Sequence, residues 1–176
     1  MSRVYEARSL GTVERYAEAM GKLARAGDYV LVIRGVPRSI IMSCPDGCGE
    51  MIVVNLDRRS GPAWCHYNIG DRLSVYPSVW RENSCRAHFI ICRDRIYWCG
   101  IGESSAGAID RSMKAAVLAK LDRSRSMHFE AIADVLGAIP WEVYWACNAL
   151  VRENAVVEVP QGFFQLQTDT KSPPFP

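Results

Sequence analysis

Two pairs of residues in the sequence stand at metal-ligand spacing. Cys44 and Cys48 bracket Pro45-Asp46-Gly47, and Cys85 precedes His88 by three positions in Ser84-Cys85-Arg86-Ala87-His88-Phe89. A glycine in the first spacer lets the backbone turn sharply enough for two thiolates to converge on one ion. Together the pairs make a C-x3-C…C-x2-H set, which would complete a tetrahedral zinc shell. Such zinc is structural when all four positions are protein atoms, and catalytic only when one stays open to water. Cys99, in Tyr97-Trp98-Cys99, is the alternative to His88 as fourth ligand. Cys65 and Cys92 fit less well, because each sits inside an apolar strand pattern. The competing reading makes all these thiols small buried hydrophobes and His88 a hydrogen-bonded internal histidine.

The chain has 176 residues and seven cysteines, six of them before residue 100. The odd count argues against a disulfide framework, and so does an opening Met1-Ser2-Arg3-Val4-Tyr5-Glu6 without an apolar core. A cytoplasmic protein is expected. The 49% hydrophobic content is ample for a packed core. A net charge of +2 gives no case for a nucleic-acid coat or a polybasic membrane binder. No run of 18 apolar residues occurs, so no helix is expected to span a bilayer.

Hydrophobic spacing predicts the framework around these ligands. Val13, Tyr16, Ala17, Met20 and Leu23 predict a helix over 12–26. Strands are expected at 29–34, 39–43, 51–56, 64–67, 73–76, 89–92 and 96–99, with the cysteine knuckle joining the second to the third and a tight turn at Asp94-Arg95. Residues 100–107 read as a small-residue linker. The period then changes to three helices and a hairpin, the second helix capped by Ser126 and Pro140 opening the third. The expected fold class is α+β. A small mixed or antiparallel β domain with a zinc knuckle and an N-terminal helix (1–102) precedes a winged-helix domain (108–168) and an extended tail (169–176).

Taken together, Gly35-Val36-Pro37-Arg38-Ser39, the knuckle through Glu50, Tyr76-Pro77-Ser78-Val79-Trp80-Arg81, Cys85-Arg86-Ala87-His88-Phe89 and Ile96-Tyr97-Trp98-Cys99 resemble a bacterial domain family over about residues 28 to 100. Its members are encoded beside ubiquitin-like proteins and their E1 and E2 enzymes in bacterial ubiquitination-like (Bub) operons linked to phage defence. The resemblance implies a serine protease that trims a ubiquitin-like precursor before its C-terminus is activated. The ubiquitin-like protein is then the substrate, and the E1-like and E2-like proteins are further partners. The family pattern reads Cys-x-Ser-His-Phe, and Ala87 occupies the serine position. That departure implies an inactive member, through natural loss of the hydroxyl or deliberate replacement of the nucleophile. The catalytic candidates are therefore position 87, His88 as base, and Ser78, the other serine of the motif set, whose competing role is a turn hydroxyl. On a regular strand residues 87 and 88 face opposite ways. A His88 that ligates zinc cannot be a base, which would leave His66 or Asp94 for that role. An extended substrate tail is expected to pair with a strand edge in a channel that selects small residues.

The expected third helix carries Trp141, Glu142, Trp145, Asn148 and Arg152 on its non-core side. One arginine and two large aromatics suit a protein contact, including a homodimer, better than phosphates. Arg111, Lys114, Lys120, Arg123 and Arg125 are the counter-evidence for DNA, and read more simply as a solvated face.

Overall fold

A computed structural model describes residues 2–100 and 111–167 of the chain. It divides into two compact units, Met1–Ser105 and Ala106–Pro176. The expected linker beyond Gly100 and the expected tail at 169–176 lie outside the described residues.

The first unit holds β1 (Arg8–Val13), α1 (Tyr16–Met20), β2 (Asp28–Arg34), β3 (Val36–Ser43), β4 (Met51–Asn55), β5 (Cys65–Ile69), β6 (Arg72–Trp80), β7 (His88–Cys92) and β8 (Arg95–Trp98). Two four-stranded sheets form, in the orders β1-β2-β3-β4 and β5-β6-β7-β8. Every pairing is antiparallel except that of β1 with β2. Alternation along the strands builds the core. Tyr29, Ile40, Met42 and Val54 of the first sheet cluster with Val75, Val79, Phe89 and Ile91 of the second. On the other face of the first sheet, Val30, Val32 and Ile41 gather with Val13 and with Ala19 of α1.

The helix predicted over 12–26 is cut to Tyr16–Met20, with the end of β1 before it and turns after it. Thr12 and Val13 lie in register with Leu31 and Val32, so this backbone finds its partners in the sheet. Only five helical residues remain, with Ala19 alone buried while Tyr16 and Met20 are exposed. Tertiary pairing has outweighed a local three-four pattern. The expected turn at Asp94-Arg95 falls one residue earlier. Arg93 and Asp94 both take positive φ, at 51° and 62°, between the paired Cys92 and Arg95. Asp94 is further tied down, its Oδ1 accepting from the Leu73 amide at 2.9 Å and the Tyr29 hydroxyl at 3.1 Å.

Asp28, 1% exposed, accepts from Arg8 Nε at 2.8 Å, Arg8 Nη2 at 2.9 Å and the Arg25 amide at 2.9 Å. The Arg8 hydrogen bonds outweigh burial and hold its carboxyl below the usual range. A lowered folded value means the pairing stabilises fully above the ordinary carboxylate pKa and fades as pH falls through the folded one. Asp28→Ala is expected to cost about 2–3 kcal/mol at neutral pH. Chemical denaturation should show that deficit shrinking below about pH 4.

The second unit comprises α2 (Arg111–Leu118), β9 (Met127–His128), α3 (Phe129–Leu136), α4 (Pro140–Arg152), β10 (Val156–Glu158) and β11 (Phe163–Leu166). Its three strands order β10-β11-β9, all antiparallel. Val117, Ile132, Val143, Cys147, Leu150 and Phe164 form its core. The cap of α3 is His128, whose Nδ1 accepts from the Glu130 amide at 3.4 Å, rather than the expected Ser126. Met127 and His128 are drawn into the sheet against Phe164 and Phe163, which moves the helix start along the chain. Among the described residues no helix is long and apolar enough to cross a membrane.

Candidate active site

The turn joining β3 to β4 is the cysteine knuckle. Ser43 pairs with Met51, and the Cys44 amide donates to Glu50 O at 2.8 Å, closing the loop. Gly47 takes φ +78°, and a Cβ there would stand 3.1 Å from Ser2 O, so both the turn and its packing need glycine. The N-terminal segment straps this loop to β8. Val4 N donates to Pro45 O at 2.9 Å, Trp98 Nε1 donates to Val4 O at 3.1 Å, and Arg3 Nε meets Asp46 Oδ1 at 2.9 Å.

The Sγ atoms of Cys44, Cys48 and Cys85 all lie within 4.8 Å of one another. Cys44 and Cys85 are 3.6 Å apart, sulfur to sulfur. A tetrahedral thiolate shell with bonds of about 2.3 Å sets its sulfurs about 3.8 Å apart, so the spacing suits a metal. Burial pushes the Cys44 thiol up to about 12. Burial acts the same way on Cys85, but the Ala87 amide and the Cys44, Cys48 and Ser84 groups outweigh it and bring that thiol down. Backbone amides of Asp46 and Ala87 thus serve the sulfurs of Cys44 and Cys85, the donors a thiolate knuckle needs. The set fits a metal ion, and Cys44, Cys48 and Cys85 would hold it.

His88, expected to complete that shell, is not in the cluster. Its Nε2 is 3.0 Å from Ser78 Oγ. Strand alternation is the reason. Ala87 is 1% exposed and packs into the core with Val79 and Phe89, whereas half-buried His88 opens β7 on the opposite face. Across β6, Ser78 and Trp80 share that outer face while Val79 points inward. The β6–β7 register shifts between Val75 and Val79, where four steps on β6 match two on β7. A bulge of this kind re-aims side chains, and Ser78 sits within it. Trp64 Nε1 donates to Ser78 O at 3.2 Å and holds the serine backbone from β5's approach.

The short stretch 85–88 therefore serves three places in turn: Cys85 the sulfur cluster, Ala87 the core and His88 the serine. The loop before it is braced. Arg81 N donates to Ala87 O at 2.9 Å, Arg81 Nη2 meets Glu50 Oε2 at 2.5 Å, and Ser84 Oγ hydrogen bonds the same Glu50 carboxylate beside the knuckle.

The remaining candidates are placed elsewhere. Cys99 N donates to His88 O at 2.9 Å, so Cys99 lies opposite His88, outside the sulfur cluster, and burial raises its thiol pKa. His66 lies on β5 in register with Val75, and burial lowers its imidazole pKa. The Asp94 carboxylate is committed to the Leu73 amide and the Tyr29 hydroxyl. Cys92 is buried in β7, and Cys65 is half-buried on β5. The fifth strand expected from sequence ends at Tyr76, whereas β6 runs on through Pro77 to Trp80, which that expectation leaves out. The alternation of Val79 and Trp80 beyond Pro77 was the available signal.

Neither curated proteins nor solved structures yield a match to the chain. Residues 16–99 do match a family model, described as the bacterial ubiquitination-like system serine protease (BubE). That span contains Ser78, His88 and all three clustered cysteines, and the β-sheet domain they occupy belongs to the BubE family.

Proposed function

We propose that this chain is a serine peptidase in which Ser78 is the nucleophile and His88 the general base, and that it trims the C-terminus of a ubiquitin-like precursor in the cytoplasm. The observation that carries this reading is the 3.0 Å contact between Ser78 Oγ and His88 Nε2, inside a domain of a serine-protease family. Serine is a weak nucleophile until a base within hydrogen-bond reach takes its proton.

In the reaction, His88 Nε2 accepts the Ser78 proton as Oγ attacks the scissile carbonyl carbon. The C–N bond then breaks, and His88 returns the proton to the departing amine. Water, deprotonated by His88, hydrolyses the acyl ester and regenerates Ser78. Trp64 fixes the serine main chain during these steps, and the core packing of Ala87 and Phe89 fixes the imidazole's strand. A metal ion held by Cys44, Cys48 and Cys85 would tie the 44–48 loop to the 81–87 loop that leads into His88.

On this reading Ala87 is a core residue, and the chain is active as it stands. The alternative, an enzyme inactivated at position 87, requires Ala87→Ser for any cleavage. Incubation with the ubiquitin-like precursor of its own operon, read by intact mass, separates the two. A truncated product is expected from the unaltered chain. Cleavage only after Ala87→Ser would transfer the nucleophile to position 87.

The second unit is read as a winged helix, supported by its order α2-β9-α3-α4-β10-β11 and the pairing of β9 with β11. Trp141 and Trp145, stacked at 6.5 Å, suit docking of an E1-like or E2-like partner or a second copy better than DNA.

A further inference from the structure

We infer that Trp80 is the substrate-binding wall of the site, lying along the peptide beside the scissile bond and selecting small residues there. This rests on the Ser78–His88 reading and adds a specificity determinant to it. Trp80 is 60% exposed, a large apolar ring left in water beside the Ser78–His88 contact. It lies directly opposite His88 across the β6–β7 ladder. Its ring centroid is 5.7 Å from that of His88, with the planes tilted by 33°. It follows Ser78 by two residues on the same strand, which sets it about 7 Å further along the same face.

Four consequences follow from that placement. A peptide whose carbonyl reaches Ser78 Oγ must pass over the sheet face that Trp80 occupies. A flat indole offers such a chain apolar contact without demanding a partner for each of its polar groups. A side chain pointing at the ring would lift the carbonyl away from Ser78, so the favoured residue beside the cut is small. Burial of the ring by substrate also removes water from the histidine it leans on, strengthening the Ser78–His88 hydrogen bond when substrate is present.

The test uses the full chain, the Trp80→Ala and Trp80→Phe variants, and a fluorogenic peptide spanning the precursor's cleavage junction. Because the side chain is exposed, neither variant is expected to unfold. Trp80→Ala should raise KM roughly tenfold, with kcat changed by less than about threefold, and Trp80→Phe should recover most of the loss. A peptide with leucine in place of the small residue beside the cut should be discriminated against less by Trp80→Ala than by the unaltered chain. Labelling of Ser78 by a small fluorophosphonate, which does not need the wall, should be unchanged. An unchanged KM would overturn the inference. So would labelling that falls in step with cleavage, since Trp80 would then act only by orienting His88. If the unaltered chain neither cleaves the peptide nor reacts with the fluorophosphonate, the Ser78–His88 reading itself fails.

Discussion

Ser78→Ala is expected to abolish cleavage of the ubiquitin-like precursor, lowering kcat by on the order of 10⁴–10⁶. The same size of loss is expected from His88→Ala, because a nucleophile and its base act as one unit. The double variant should therefore be no slower than either single one, and that non-additivity is the sharper measurement. Two groups that merely stabilised the fold from separate places would give losses that multiply. Position 87 provides the control. Its Cβ lies in the core with Val79 and Phe89 at 1% exposure. A hydroxyl added there costs about 1–3 kcal/mol of stability unless it finds a partner, and it should not rescue Ser78→Ala. Single-turnover cleavage followed by intact mass distinguishes these outcomes. A Ser78→Ala chain that still trims the precursor would remove Ser78 from the chemistry, and rescue by Ala87→Ser would return that role to position 87.

Much of this site could be read from residue order, and the part that could not has a specific cause. The runs that became β2 to β5 and β7 to β8 alternate or cluster apolar residues between turn signals, and their ends moved by one to three residues, most at β3, which starts at Val36. The sulfur cluster was legible because Gly47 and the short spacer force Cys44 and Cys48 together. Two errors came from reading locally. The three-four pattern at 12–26 described spacing but not partners, and β2 supplied a ladder for Thr12 and Val13. The three positions between Cys85 and His88 match ligand spacing, whereas the start of β7 at His88 turns its ring to Ser78. The contact between Ser78 and His88 depends on a bulge and a strand register ten residues apart in sequence, and no local pattern encodes either. Strand β6 also runs three residues beyond Pro77 to Trp80, farther than the strand expected at 73–76.

Metal removal carries the second large effect. Cys44 is wholly buried among Met42, Ile52 and Phe89, and the other two sulfurs approach it from separate loops. With a divalent cation present, most of the charge of three thiolates there is offset and the 44–48 and 81–87 loops are joined. Without it, three thiols remain in contact and the joint rests on Glu50 with Arg81 and Ser84. Because the two sheets supply a core of their own, the unit is not expected to unfold outright as a zinc finger does. A loss of about 3 kcal/mol or more is expected, which for a domain near 100 residues lowers Tm by on the order of 10–25 °C. Cys85→Ala should reproduce that loss and make the protein insensitive to chelator. Elemental analysis should find one metal per chain before chelation and none in the variant. Cleavage should fall with the metal, because the loop that Cys85 anchors leads straight into His88. The fall should be smaller than that from His88→Ala, since the base itself remains. A metal-free protein whose melting ignores chelator would show that Cys44, Cys48 and Cys85 are core thiols, leaving the hydrolytic pair to stand on the β6–β7 register alone.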